Sequence, residues 1–118
     1  MLAAGAKHCG SAQVAEQVCS VLRNIASHSD ENEAAVAAAG GIEAVVRVMG
    51  EHQANAAVMQ EACGALHNIG WSDEALQKRI KDAGAEPLVR AAVAAPDATD
   101  YTKEKGQGLL DKLAEVCV

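Results

Sequence analysis

Apolar residues recur along this chain at spacings of three and four, the period of a buried helix face. From Ser11 to Ala26 they are Val14, Val18, Val21, Leu22 and Ile25, with Ser11 in the N-cap position and the polar run Ser27 to Ser29 as the break. A shorter helix is predicted from about Glu31 to Ala39, where Asp30 and Glu33 have the spacing of a capping box. Gly40-Gly41 ends it, because glycine enters the left-handed conformation at a helix C-terminus most cheaply. A third helix runs from about Ile42 to Met49 and is closed by Gly50. The cycle then restarts. Asn55 caps a long helix of about Ala56 to Gly70, Ser72 caps one of about Asp73 to Ala83, and Gly84 ends that. Glu86 to Ala94 follows, with Pro87 in the first turn, where a missing N–H costs nothing, and Pro96 as the stop. The last long helix, about Thr99 to Val116, turns Leu109, Leu110, Leu113 and Val116 inward. Val-rich Ala44 to Val48 could pass for a strand, but its fixed place between helices in both cycles argues otherwise.

The two cycles match residue by residue. Cys19-Ser20-Val21-Leu22-Arg23-Asn24-Ile25 returns as Cys63-Gly64-Ala65-Leu66-His67-Asn68-Ile69, 44 residues later. His8 and Val14 return as His52 and Val58 at the same offset. Gly41-Ile42-Glu43-Ala44-Val45-Val46-Arg47 returns as Gly84-Ala85-Glu86-Pro87-Leu88-Val89-Arg90, offset by 43. Repetition at this period is the signature of a stacked helical solenoid. The 118 residues make one domain, with residues 1–10 an N-terminal segment and 11–118 the repeat domain.

Composition agrees. Half of the residues are apolar, yet there is no Phe, one Tyr and one Trp, and small Ala and Val dominate, which suits closely packed helices. A net charge of −6 argues against nucleic-acid binding, which needs a basic face. It permits a basic partner and also serves solubility. Cys9, Cys19, Cys63 and Cys117 are too widely spaced for a zinc site, and read as reduced thiols of an intracellular protein, cytoplasmic with the nucleus open. The N-terminus lacks a signal-peptide stretch, and the longest apolar run, Ala34 to Ile42, is too short to span a bilayer.

Long, short and medium helices at this period resemble the armadillo repeat. The resemblance rests on Leu-x-Asn-Ile at Leu22 to Ile25 and Leu66 to Ile69, on the junctions Ala39-Gly40-Gly41-Ile42 and Ala83-Gly84-Ala85, and on His52 followed by Val58, Ala62, Cys63 and Leu66. It covers nearly the whole chain and implies a right-handed all-α superhelix of about two full repeats plus flanking long helices. It also implies a concave groove, lined by the long helices, that holds an extended peptide. There an Asn bonds the peptide backbone and a Trp four residues earlier forms side-chain pockets. Asn24 and Asn68 hold the Asn positions, while Ser20, Gly64 and Gly108 stand at the Trp positions. Two departures stand out. The second junction is one residue short, with Glu86 near a usual Ile, and Lys112 takes the third Asn position.

The residues expected on the concave face are therefore Ser20, Asn24, Ser27, Gly64, Asn68, Trp71, Gly108 and Lys112. Trp71 lies three residues past Asn68, on the same helical face. It is either an aromatic anchor in the groove or a cover packed over the helix end against the next repeat. His8 and His52 are expected to bond loop or helix-end carbonyls. Cys63 and His67 are spaced as half a metal site, but Arg23 at the equivalent of His67 is no ligand, so no metal or other cofactor is expected. Glu16, Glu61 and the Asp30–Glu33 cluster read as solvated faces and caps. No nucleophile–base–orienter set and no phosphate loop is present, which argues against an enzyme. The expected partner is a protein or extended peptide, with no nucleic acid and no membrane. The alternative is a piece of a longer solenoid or a self-associating array, because such stacks need polar end caps. The apolar residues Leu109, Leu110, Leu113 and Val116 are its candidate contact in a homodimer.

Overall fold

A computed structural model describes residues 12–27, 30–71 and 73–115, and of residue 30 the backbone alone. Over these residues the chain is all-helical: α1 (Ala12–Ala26), α2 (Asp30–Ala38), α3 (Gly41–Glu51), α4 (Ala56–Gly70), α5 (Glu74–Asp82), α6 (Ala85–Ala94) and α7 (Asp100–Glu115). The predicted roles of His8, Cys9, Ser11, Ser72, Val116 and Cys117 lie outside the described residues, as does the side chain of Asp30. No described helix is long and apolar enough to cross a membrane.

The helix ends follow local chemistry. Asn55 Oδ1 accepts from the Val58 amide at 3.1 Å and caps α4 as expected. The cap of α5 is Asp73. Its Oδ1 accepts from the amides of Ala75 at 2.8 Å and Leu76 at 3.2 Å. A carboxylate there satisfies two orphan donors and faces the positive end of the helix dipole. Thr99 Oγ1 takes the same place for α7, accepting from the Thr102 amide at 3.1 Å. Gly40 and Gly84 adopt φ of 85° and 88°, so both helix junctions turn through a left-handed glycine. Gly50 lies inside α3 instead of closing it, and the C-cap is His52.

The long helices α1, α4 and α7 lie side by side in that order, and α4 packs against all six of the others. Its Val58, Leu66 and Ile69 are fully buried, together with Ile42, Val45, Met49, Ile80, Val89, Leu109 and Leu113 from the flanking helices. Each such side chain contributes about 1.5–3 kcal/mol on leaving water.

On α1 the buried residues are Ala15, Cys19 and Ala26, which overturns the predicted stripe. Val14, Val21 and Ile25 are 37%, 48% and 40% exposed. Val18 and Leu22 are half-buried. The buried row is turned about 100° from the valines and consists of small side chains, which lets α1 and α4 approach closely.

Each long helix has its last turn tied down from elsewhere. Asn68 Nδ2 donates to the Arg23 carbonyl on α1 at 3.0 Å. Gln77 Nε2 donates to the Gly70 carbonyl on α4 at 2.7 Å. Lys81 Nζ donates to the Leu113 carbonyl on α7 at 3.3 Å. The Gly70 carbonyl is one that the C-terminus of its helix leaves unpaired, and the Arg23 carbonyl also accepts from the Ser27 amide at 3.2 Å. All three bonds fix one helix against another.

Candidate functional site: one face of the three long helices

A helix advances about 100° per residue, so residues 44 apart on equivalent helices share a direction. Ser20, Arg23, Asn24 and Ser27 lie on one side of α1. Gly64, His67, Asn68 and Trp71 take the same side of α4, and Gly108, Asp111 and Lys112 that side of α7. The expected concave-face residues are thus brought to one face, with quite different environments.

Asn24 is exposed, and among the described residues no long helix lies before α1 for its amide to bond. Asn68 is half-buried and ties α4 to α1 through Arg23, with His67 Nδ1 3.4 Å from its Oδ1. Its amide has two N–H donors, and one goes to this tie. Ser27 is exposed and its hydroxyl donates to the Asn24 carbonyl at 2.8 Å. Ser20 is half-buried.

Gly64 is buried, and the space a side chain would take there is filled. A Cβ at Gly64 would come 2.7 Å from Arg23 Cδ and would also meet the Tyr101 hydroxyl. Arg23 Nη1 donates to that hydroxyl at 3.1 Å and the guanidinium lies 5.6 Å from the Tyr101 ring centre. Lys105 Nζ lies 5.7 Å from the same ring. Arg23 Nη2 faces Glu61 Oε1 at 3.2 Å, an ion pair without hydrogen-bond alignment at that oxygen. Glu61 is therefore a buried partner of Arg23 rather than the solvated charge the sequence suggested.

Trp71 is partly packed and partly exposed. It is 49% exposed. Its ring lies 4.5 Å from His67 at a 31° tilt. Lys112 Nζ sits 4.6 Å from the ring centre. A Cβ at Gly108 would come 4.0 Å from Cζ3 of Trp71, so the indole leans over α7 and leaves about half its surface to solvent. Burial holds the His67 pKa below its ordinary value, the bond to Asn68 partly opposing, which keeps the imidazole neutral at neutral pH. The face thus carries two aromatic–cation stacks. Arg23, Tyr101, His67 and Lys105 were missed as members, and the one available signal was the Arg23/His67 mismatch between otherwise matching repeats.

Leu109, Leu110 and Leu113 belong to the core, so they form no surface for a second chain. The expected contact through them is not available in this fold, and Val116 lies outside the described residues. An open depression of about 340 Å³ is lined by Gly40, Glu43, Ala44 and Arg47. Its charges are engaged elsewhere, Glu43 with Arg79 at 3.2 Å and Arg47 with Glu51 at 3.9 Å.

Cys19 and Cys63 are free and buried. Burial pushes each thiol up to about 12, with Glu61 adding to the effect on Cys19. Folding therefore favours the neutral thiols. The stability this gives is present below the ordinary thiol pKa of 9.0 and is lost as pH rises toward about 12. At pH 8 both are expected to alkylate with iodoacetamide at least about a hundredfold more slowly than in denaturant. Peptide mapping by mass spectrometry reads this, and equal rates would contradict it. No protein-family model matches the chain. No curated protein matches it either.

Proposed function

We propose that this chain is an armadillo-type α-solenoid that works as a non-catalytic protein-interaction scaffold, holding an extended segment of a partner across the face of α1, α4 and α7. The observation that carries this reading is the row Asn24, Asn68 and Lys112 on three adjacent helices, beside a half-exposed Trp71. An extended segment has unpaired N–H and C=O groups at regular intervals, and amide side chains on a row of helices can meet them. Asn24 is free to do so, Asn68 keeps one N–H for it, and Trp71 offers an apolar flank. The pocket positions are covered by Tyr101 with Arg23 and by Trp71 itself, so the face favours backbone contact over deep side-chain slots.

The test is a peptide-array screen of wild type beside Asn24→Ala and Trp71→Ala. Asn24 and Trp71 are exposed, so neither substitution is expected to disturb the fold, which helical circular dichroism checks. Peptides held by the face should lose at least about tenfold in affinity with either variant, about 1.4 kcal/mol. Trp71 is the sole tryptophan, so its emission should also shift as such peptides bind. Equal binding by all three proteins would move the site elsewhere.

A further inference from the structure

Exposed Val14, Val21 and Ile25 of α1 form an apolar stripe with half-buried Val18, and the chain itself contains the control that gives it meaning. Val14, Val18, Val21 and Ile25 are spaced by four, three and four residues, within about 60° of one another around the helix. Their counterparts 44 residues on are Val58, Ala62, Ala65 and Ile69 of α4, and all four are fully buried. What separates the two sets is a neighbour: α1 packs on α4, whereas no described helix lies on the far side of α1. The same register is a packing face in one copy, while in the other Val21 and Ile25 are exposed to solvent.

The opposite end of the row is built differently. The small buried positions of α1, Ala15, Cys19 and Ala26, correspond to Lys103, Gln107 and Ala114 of α7, two offsets along. All three are exposed. Gln107 Nε2 also donates to Asp111 Oδ1 at 3.0 Å along the outer surface of α7. This outer surface of α7 is polar, unlike the stripe on α1. The described row of helices therefore has one polar end and one apolar end.

This asymmetry selects the geometry of association. Stacking head to tail would press the valines on Lys103 and Gln107 and strip them of water without replacing its hydrogen bonds. Meeting apolar end to apolar end buries both stripes and closes on itself with two-fold symmetry. The alternation of four and three is that of a helix-pair seam, in which the side chains of one helix fit between those of the other. The charged side chains of α1, Glu16 and Arg23, point to the opposite side, so the contact gathers none of the −6 net charge from this helix. We propose that the α1 stripe is a homodimer interface, on which a second copy of this chain docks its own α1.

The interface is small. A seam on one 15-residue helix covers less than the roughly 800 Å² per partner of a standard stable complex, so the dimer should form in the micromolar range or above. Sedimentation equilibrium from about 1 µM to about 1 mM spans that range. The mass is expected to rise from one chain of 12.1 kDa toward two. Val21→Glu and Ile25→Lys change exposed positions, so helicity should persist while the dissociation constant rises at least about thirtyfold, or about 2 kcal/mol. Lys103→Ala/Gln107→Ala at the polar end should leave it unchanged. A single-chain mass throughout the range overturns the proposal and assigns the stripe to another partner. So does a dimer that survives both α1 variants or is lost with the α7 pair. None of these outcomes depends on peptide binding, so this proposal and the scaffold reading stand or fall separately.

Discussion

Gly41→Val is expected to cost at least about 3 kcal/mol, because the new side chain has nowhere to go. Gly41 is the first residue of α3 and is buried against Val36 of α2. A Cβ on it would stand 2.8 Å from the Val36 carbonyl oxygen and would also meet Val36 Cγ1. The methyl could turn away, but the carbonyl belongs to the backbone of α2, so relief requires moving one helix from the other. That junction is set by Gly40 in the left-handed conformation and delivers Ile42 and Val45, both fully buried, to the core. For a domain of this size the loss corresponds to at least about 12 °C in Tm. Gly50 provides the contrast. Nothing lies within 4 Å of a Cβ there, and it sits inside α3. Gly50→Ala should raise stability by about 0.5–1 kcal/mol through helix propensity alone. Thermal unfolding followed by circular dichroism separates the two. A Gly41→Val midpoint within about 3 °C of wild type would refute the steric argument.

These glycines mark what the sequence discloses and what it hides. Gly40 and Gly84 were readable as turns because a left-handed residue after a helix has a local chemical signature. Asn55 was readable as a cap for the same reason. Gly50 carries the same letter without that role, since only the path of the chain around it decides. The valines of α1 show a different limit. A period of three and four finds an apolar stripe, but burial also needs a neighbour, and among the described residues α1 buries its Ala15–Cys19–Ala26 side instead. Small residues score low in hydropathy, yet they are what close helix packing needs. At the candidate site, the repeat placed Asn24, Asn68 and Lys112 on one face. It could not show that Tyr101 would lie over Gly64, because Arg23 and Tyr101 are 78 residues apart and meet only after the three long helices stack. Lys112 replaces the repeated Asn and bonds no helix carbonyl. It instead lies over Trp71, a contact that depends on the lean of the indole across α7.

The second large effect is expected at Arg23, whose guanidinium joins all three long helices: it belongs to α1, pairs with Glu61 of α4 and bonds Tyr101 of α7. Glu61 is buried, so removing Arg23 leaves a carboxylate out of water with no cation beside it. Deleting one partner of a fully buried pair costs about 3–5 kcal/mol. The Arg23 side chain is 26% accessible and that of Glu61 11%, so water recovers part of this and about 2 kcal/mol is expected for Arg23→Ala. The guanidinium is not perfectly satisfied even in place, since Arg23 Nε is buried without a hydrogen-bond partner. Its contribution to folding is therefore modest, and most of the loss should come from the stranded Glu61. The double variant Arg23→Ala/Glu61→Gln distinguishes these sources. A neutral amide needs no counter-charge, so the second substitution should restore at least about half of the lost stability. Urea denaturation of the four proteins completes the cycle. If Glu61→Gln brings no recovery in the Arg23→Ala background, the loss lies in the packing of Arg23 on Gly64 and Tyr101, and the charge argument fails. The outcome also bears on the face itself, because Arg23 and Tyr101 fill the space above Gly64. If Arg23→Ala/Glu61→Gln folds well, it clears the Arg23 side of that space and leaves Tyr101 in place, and peptides with a small apolar residue should then bind more tightly than to wild type.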